Sequence, residues 1–259
     1  MKLDLIKIDK DVVDIINNSG KSHSRNCAIN ALMHLEKAWD IKDIDPAMAI
    51  FRSITAEEEA ATSIFLALKQ KNYANSNKLK FKSHIYKQAL SPFLQAVGKF
   101  IVYSSKLPGF PFGNDFWLKV DTKTGRKKLQ LNINFPENKI LVPIPPLHFT
   151  INLNGREHNF HKELCDITSG KNRDEIINYL EETADLRNRI LYANQDGIPV
   201  LEVDIDEYIR LKQNTVFSFL RILCLFSPYK EKANFVQQAL NAFLNMLGDI
   251  EDIVEQSIA

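Results

Sequence analysis

Cysteine is scarce: Cys27, Cys165 and Cys224 are the only three, far apart and without a CxxC pair. Their number and spacing support neither a disulfide framework nor a zinc site. A surplus of one charge is missing too. The 33 basic and 32 acidic residues leave a net charge of +1. General nucleic-acid or membrane-surface binders carry a larger basic excess, so any RNA contact has to come from a local patch. No apolar run is long enough to span a bilayer. The most apolar stretch, Phe217 to Phe226, is interrupted by Arg221. The first sixteen residues alternate charged and apolar side chains, without the apolar core and small-residue cleavage site of a signal peptide. Walker A, GxGxxG, HExxH and GxSxG patterns are all absent. A reducing cytoplasm is the expected compartment, with no metal, no cofactor and no membrane partner.

What is present is enough to fold. With 259 residues, 45% of them hydrophobic, the chain can bury a substantial core. Residues 1–18 read as a short strand or helix. Ser22 or Ser24 caps a helix reaching Trp39, with Ala28, Leu32 and Leu35 on one face. Asp45-Pro46 is a strong start signal, because the carboxylate accepts an early amide and proline suits the first helical position. The helix that follows carries Ile50, Ile54, Ala61, Ile64 and Leu68 at helical spacing. Another covers Ser83 to Ser104, with Pro92 expected to kink or restart it. From Pro108 the period changes to two: residues 116–120, 129–135, 140–142 and 149–153 read as strands between turn signals. Helical spacing returns at Asn172, with a helix over 173–193, one from Asp204 or Asp206 to Leu225, and a last one ending at Gly248.

Arg187 is the most informative residue. It shares a helical stripe with Ile176, Leu180, Ala184 and Leu191. A guanidinium on such a stripe needs an anion, since a buried unpaired charge is very costly. Glu57 and Glu58 interrupt the apolar stripe of the 45–71 helix, so at least one is expected to face inward and pair with Arg187. Two readings follow: an ion pair that only ties helices together, or part of a reactive site.

The phrase Asp185-Leu-Arg187-Asn188-Arg-Ile-Leu-Tyr192-Ala resembles the signature of the HEPN superfamily: an arginine, a polar residue next, and a histidine a few positions on. Ala56-Glu57-Glu58-Glu59-Ala60-Ala61 resembles the glutamate-rich second helix of the AbiV-like abortive-infection branch. The resemblance covers two short helical segments. It implies a helical bundle, often dimeric, and metal-independent ribonuclease activity in toxin–antitoxin and phage-defence systems. It carries over Arg187 as the group that stabilises a phosphorane, and Asn188 as a phosphate contact. This chain departs from the pattern at Tyr192, where the family has its histidine. A phenol is a poor base near neutral pH. Tyr192 is left to donate a proton or stack on a base, and cleavage is expected to be weak.

Other side chains have plainer readings. His158 and His161 read as surface loop residues at the end of the strand region, able to supply a base only if that region folds over the bundle. His34 reads as a core histidine and His84 as an exposed helix start. Arg126-Lys127-Lys128, after Phe116 and Trp117, is either a basic hairpin that contacts single-stranded nucleic acid or a solvated turn that protects an edge strand.

The expectation is an α+β chain: an N-terminal helical half (1–107), a β-rich insert (108–170), and a C-terminal helical half (171–259) packing on the first. The expected activity is HEPN-like binding or cleavage of RNA, in a homodimer or with a partner protein of a defence system. The alternative is an interaction subunit that docks a partner through the insert.

Overall fold

The structure, a computed structural model, describes residues 3–104, 116–122, 125–135, 139–148, 152–153, 156–169, 176, 178, 180, 190 and 203–249. It is an α+β fold, mainly helical, with a small antiparallel sheet between two helical stretches of sequence. The first helices are α1 (Lys7–Asn17), α2 (His23–Ile41), α3 (Pro46–Gln70) and α4 (His84–Ser104). Ser22 caps α2 by accepting from the Arg25 amide, and Asp45 caps α3 by accepting from the Met48 amide with Pro46 just inside. Both caps satisfy an orphan donor of the first turn. The chain runs through Pro92 as one helix rather than restarting there. The amide that proline lacks costs one backbone bond, and burial of Leu90, Phe93 and Val97 around it offsets the loss.

Helix α3 is the axis of the molecule. Sixteen of its 25 residues are buried, so it presents no solvent stripe and is enclosed by its neighbours. Ala28 and Ala31 of α2 and Ala56, Ala60 and Ala67 of α3 are almost fully buried. Their small side chains let the two helices approach closely, and Ser24 Oγ donates to the Ser63 carbonyl across the contact at 2.7 Å.

Strands β1 (Phe116–Asp121), β2 (Lys128–Phe135) and β3 (Lys139–Leu141) form a three-stranded antiparallel sheet in sequence order. Leu129, Leu131 and Ile133 turn their side chains into the core, while Trp117 and Lys119 lie outward, as the period of two requires. Gly125, at φ 73°, supplies the left-handed residue of the connection between β1 and β2. A second pair, β4 (Asn152–Leu153) and β5 (Arg156–Glu157), follows.

One element departs from expectation. His161–Asp166 is a short helix, α5, not a surface loop. Phe160, Leu164 and Cys165 are buried, and Phe160 meets Phe100 and Phe235 edge-on. His158 is half-buried against the Phe160 ring, with Nε2 2.6 Å from Glu163 Oε1. The apolar spacing Phe160, Leu164, Cys165 is helical, and it turns this segment back onto the bundle.

Ile176, Asn178, Leu180 and Ile190 are helical. Two further helices close the fold, α6 (Ile205–Phe226), capped by Asp204, and α7 (Asn234–Met246), closed by Gly248 at φ 77°. Helix α6 lies along α3 and contacts β2. The Asp9 carboxylate of α1 holds Arg221 of α6 through Nε at 2.8 Å and Nη2 at 2.6 Å.

Tyr229, just past α6, ties the sheet to the bundle: its hydroxyl donates to the Leu129 carbonyl at 2.8 Å. Burial, then the Asp121 charge, pushes its pKa up to about 12. Removing the hydroxyl in Tyr229→Phe is expected to cost about 1–2 kcal/mol, because a buried carbonyl loses its donor. The raised pKa means that the folded state holds the phenolic proton more tightly. Its contribution is complete below the unfolded value near 10 and is lost as pH rises toward 12. Urea unfolding from pH 9 upward checks this, and the phenylalanine variant should lose that part of the alkaline decline.

Candidate functional site

Three consecutive glutamates on α3 each address a different neighbouring helix. Successive side chains on a helix are turned by about 100°, so a run of three at a central helix spreads over about 200° of its circumference. Glu57 meets α6: Lys212 Nζ lies 2.5 Å from Glu57 Oε2, and both side chains are almost fully buried. Glu58 meets α4: Lys87 Nζ lies 2.9 Å from Oε2, and His84 Nδ1 lies 2.8 Å from Oε1 and 2.9 Å from Oε2. Glu59 faces α2, beside Cys27 and Asn30.

The electrostatics follow from these contacts. Burial and then the Glu59 charge push the Cys27 thiol up to about 12, far from the thiolate a nucleophile needs. His34 of α2 lies 3.4 Å from Arg52 Nη1; burial first, and the Arg52 charge second, lower its pKa. Lys212 Nζ also sits 5.6 Å from the centre of the Tyr208 ring, which favours its cation.

Among the described residues, His84, like His158, carries an imidazole bonded to a carboxylate and is a candidate for proton transfer. The His84 side chain is half exposed, and the buried Glu58 carboxylate orients its ring. An imidazole steered by a carboxylate is the arrangement used in general acid–base catalysis. Lys87, one turn further along α4, adds positive charge beside it. No group of three or more His, Cys, Asp or Glu side chains among the described residues is arranged to hold a metal ion. None of the described helices is long and apolar enough to cross a membrane.

Glu57 and Glu58 are both buried, at 4% and 5% exposure. Arg187, Asn188 and Tyr192 lie outside the described residues. Ile190, three positions after Arg187, packs with Ile50 and Ile54 of α3, one turn before Glu57 and Glu58. In the basic run, Lys127 Nζ is 2.7 Å from Asp14 and 3.7 Å from Asp11 of α1. Lys128 Nζ lies 5.3 Å from the centre of the Tyr229 ring. Lys212 carries a signal that sequence reading passed over. It falls three residues after Ile209 and four before Val216, both buried, so it is a cation on an apolar stripe by the same reasoning that selects Arg187. His84 and Lys87 carry only their spacing of three.

No protein-family model, curated protein or solved structure matches this chain.

Proposed function

We propose that this chain is a HEPN-like protein of a bacterial phage-defence or toxin-type system that binds RNA and cleaves it weakly without a metal ion. The observation that carries this reading is the pair that His84 of α4 makes with Glu58 of the central helix α3, with Lys87 of α4 beside it. It offers an imidazole base where the motif offers only Tyr192. The packing of Ile190 on α3, three residues after Arg187, supports it further.

In this reading His84 takes the proton of a ribose 2′-hydroxyl, whose oxygen attacks the adjacent phosphorus. The bond to the 5′-oxygen breaks, Tyr192 gives that oxygen a proton, and a 2′,3′-cyclic phosphate remains. Arg187 stabilises the charge of the phosphorane, and Asn188 holds a phosphate oxygen. The protein works in the cytoplasm as a homodimer or with a protein of the same defence system. The test is cleavage of single-stranded RNA in the presence of a chelator. Arg187→Ala is expected to abolish it, and Arg187→Lys to restore it only in part, because a lysine lacks the planar fork that engages two phosphate oxygens. Equal rates for wild type and both variants overturn the role of Arg187.

A second reading has its own support. Phe116, Trp117, Ile140, Leu141 and Ile144 are all at least 39% exposed, and all lie on the strand-rich insert. Trp117 and Ile140 share one face of the sheet through their partners Asn132 and Asn134, and neighbouring exposed apolar side chains mark interaction surfaces. An interaction subunit without chemistry of its own would use them to dock a partner protein. It would leave RNA intact, and Trp117→Ser combined with Ile140→Ser would release the partner.

A further inference from the structure

A large cleft lies where three connections meet: α1 to α2, β1 to β2, and α6 to α7. Its volume is about 930 Å³, and it shares no residue with the glutamates of α3. Five basic side chains line it against three acidic ones, a surplus of two positive charges (5 − 3). The internal Asp14–Lys127 pair, at 2.7 Å, leaves that surplus unchanged. Arg25 is pinned by Nε donating to the Ile16 carbonyl at 2.9 Å and Nη2 donating to the Asn17 carbonyl at 2.7 Å. These acceptors are neutral and leave its charge uncompensated. Lys128 rests on the Tyr229 ring, and Lys230 is exposed beside it. Among the described residues none of these three cations forms an ion pair with a carboxylate.

Arg25, Lys128 and Lys230 outnumber Asp121 and Glu231 on the same concave wall, and such a surplus focuses a positive potential. Arg25 is already ordered by its two carbonyls, so it loses little freedom on meeting an anion. A cleft of this size takes a ligand larger than a single ion. We infer that it binds closely spaced phosphates, as carried by a nucleoside triphosphate or by the backbone of single-stranded RNA. The site does not depend on Arg187 or on cleavage.

The experiment titrates the full chain with inorganic tripolyphosphate, with ATP and with a single-stranded uridine decamer. All are measured at about 50 mM salt and again at about 200 mM, where phosphate contacts weaken. Saturable binding of tripolyphosphate is expected, weakened roughly tenfold or more in Lys128→Gln/Lys230→Gln. Lys230→Glu, at an exposed position, should weaken it without changing the melting temperature. A decamer that binds more tightly than tripolyphosphate and ATP, with a steeper salt slope, identifies an RNA backbone. ATP and tripolyphosphate binding as tightly as the decamer identifies a nucleotide. Binding without cleavage leaves this site standing while the ribonuclease reading fails. Failure of all three probes to bind, or a double variant that binds like wild type, overturns the inference.

Discussion

Lys212→Met is expected to lower the free energy of unfolding by about 3–5 kcal/mol, since it leaves the Glu57 carboxylate buried without its cation. The methionine keeps most of the volume and apolar contact of the lysine stem, so the loss reports charge rather than packing. Glu57→Leu combined with Lys212→Met should recover most of the stability, because a well-packed apolar pair is often as stable as a buried ion pair. Urea unfolding of the two variants, analysed as a cycle with Glu57→Leu alone, measures the coupling. A Lys212→Met protein as stable as wild type would mean that Glu57 is held by something else.

A large effect on activity is also expected at His84. If His84 is the base, His84→Gln should slow cleavage of single-stranded RNA by about 10²–10⁴-fold, the usual range for a positioned base. Glutamine can still bond to Glu58, so the fold should persist and the melting temperature should barely move. Tyr192→His installs an imidazole at the position the resemblance assigns to the base, and it should raise cleavage in both the wild-type and the His84→Gln background. A His84→Gln protein with full activity removes His84 from the chemistry, whatever Tyr192→His does.

The local grammar of the fold was legible in the sequence because it is written in neighbouring residues. Ser22, Asp45-Pro46 and Asp204 start helices, and the alternation in Leu129-Gln-Leu-Asn-Ile sets which face of β2 is buried. Glutamates within a stripe also pointed inward correctly. Which cations meet them was not legible. Lys212 is 155 residues from Glu57, and no local pattern couples them. His84 is 26 residues from Glu58, and its polar surroundings read like any exposed helix start. Lys212 meets the same stripe criterion as Arg187, since it falls on the buried face of Ile209 and Val216. Helix α5 was missed because its apolar face is only three residues, Phe160, Leu164 and Cys165, set among charged neighbours. Arg126, Lys127 and Lys128 showed as a charge run. That Lys127 belongs to Asp14, while Lys128 faces a cleft, required the fold.

End-group analysis of single-stranded RNA incubated with the wild-type protein and a chelator tests the ribonuclease reading most directly. Attack by the 2′-hydroxyl leaves a 2′,3′-cyclic phosphate on one fragment and a 5′-hydroxyl on the other. The account predicts those ends, appearing slowly without metal and absent with Arg187→Ala. Intact RNA under all conditions, or fragments with 5′-phosphates that form only when a divalent metal is added, would contradict it.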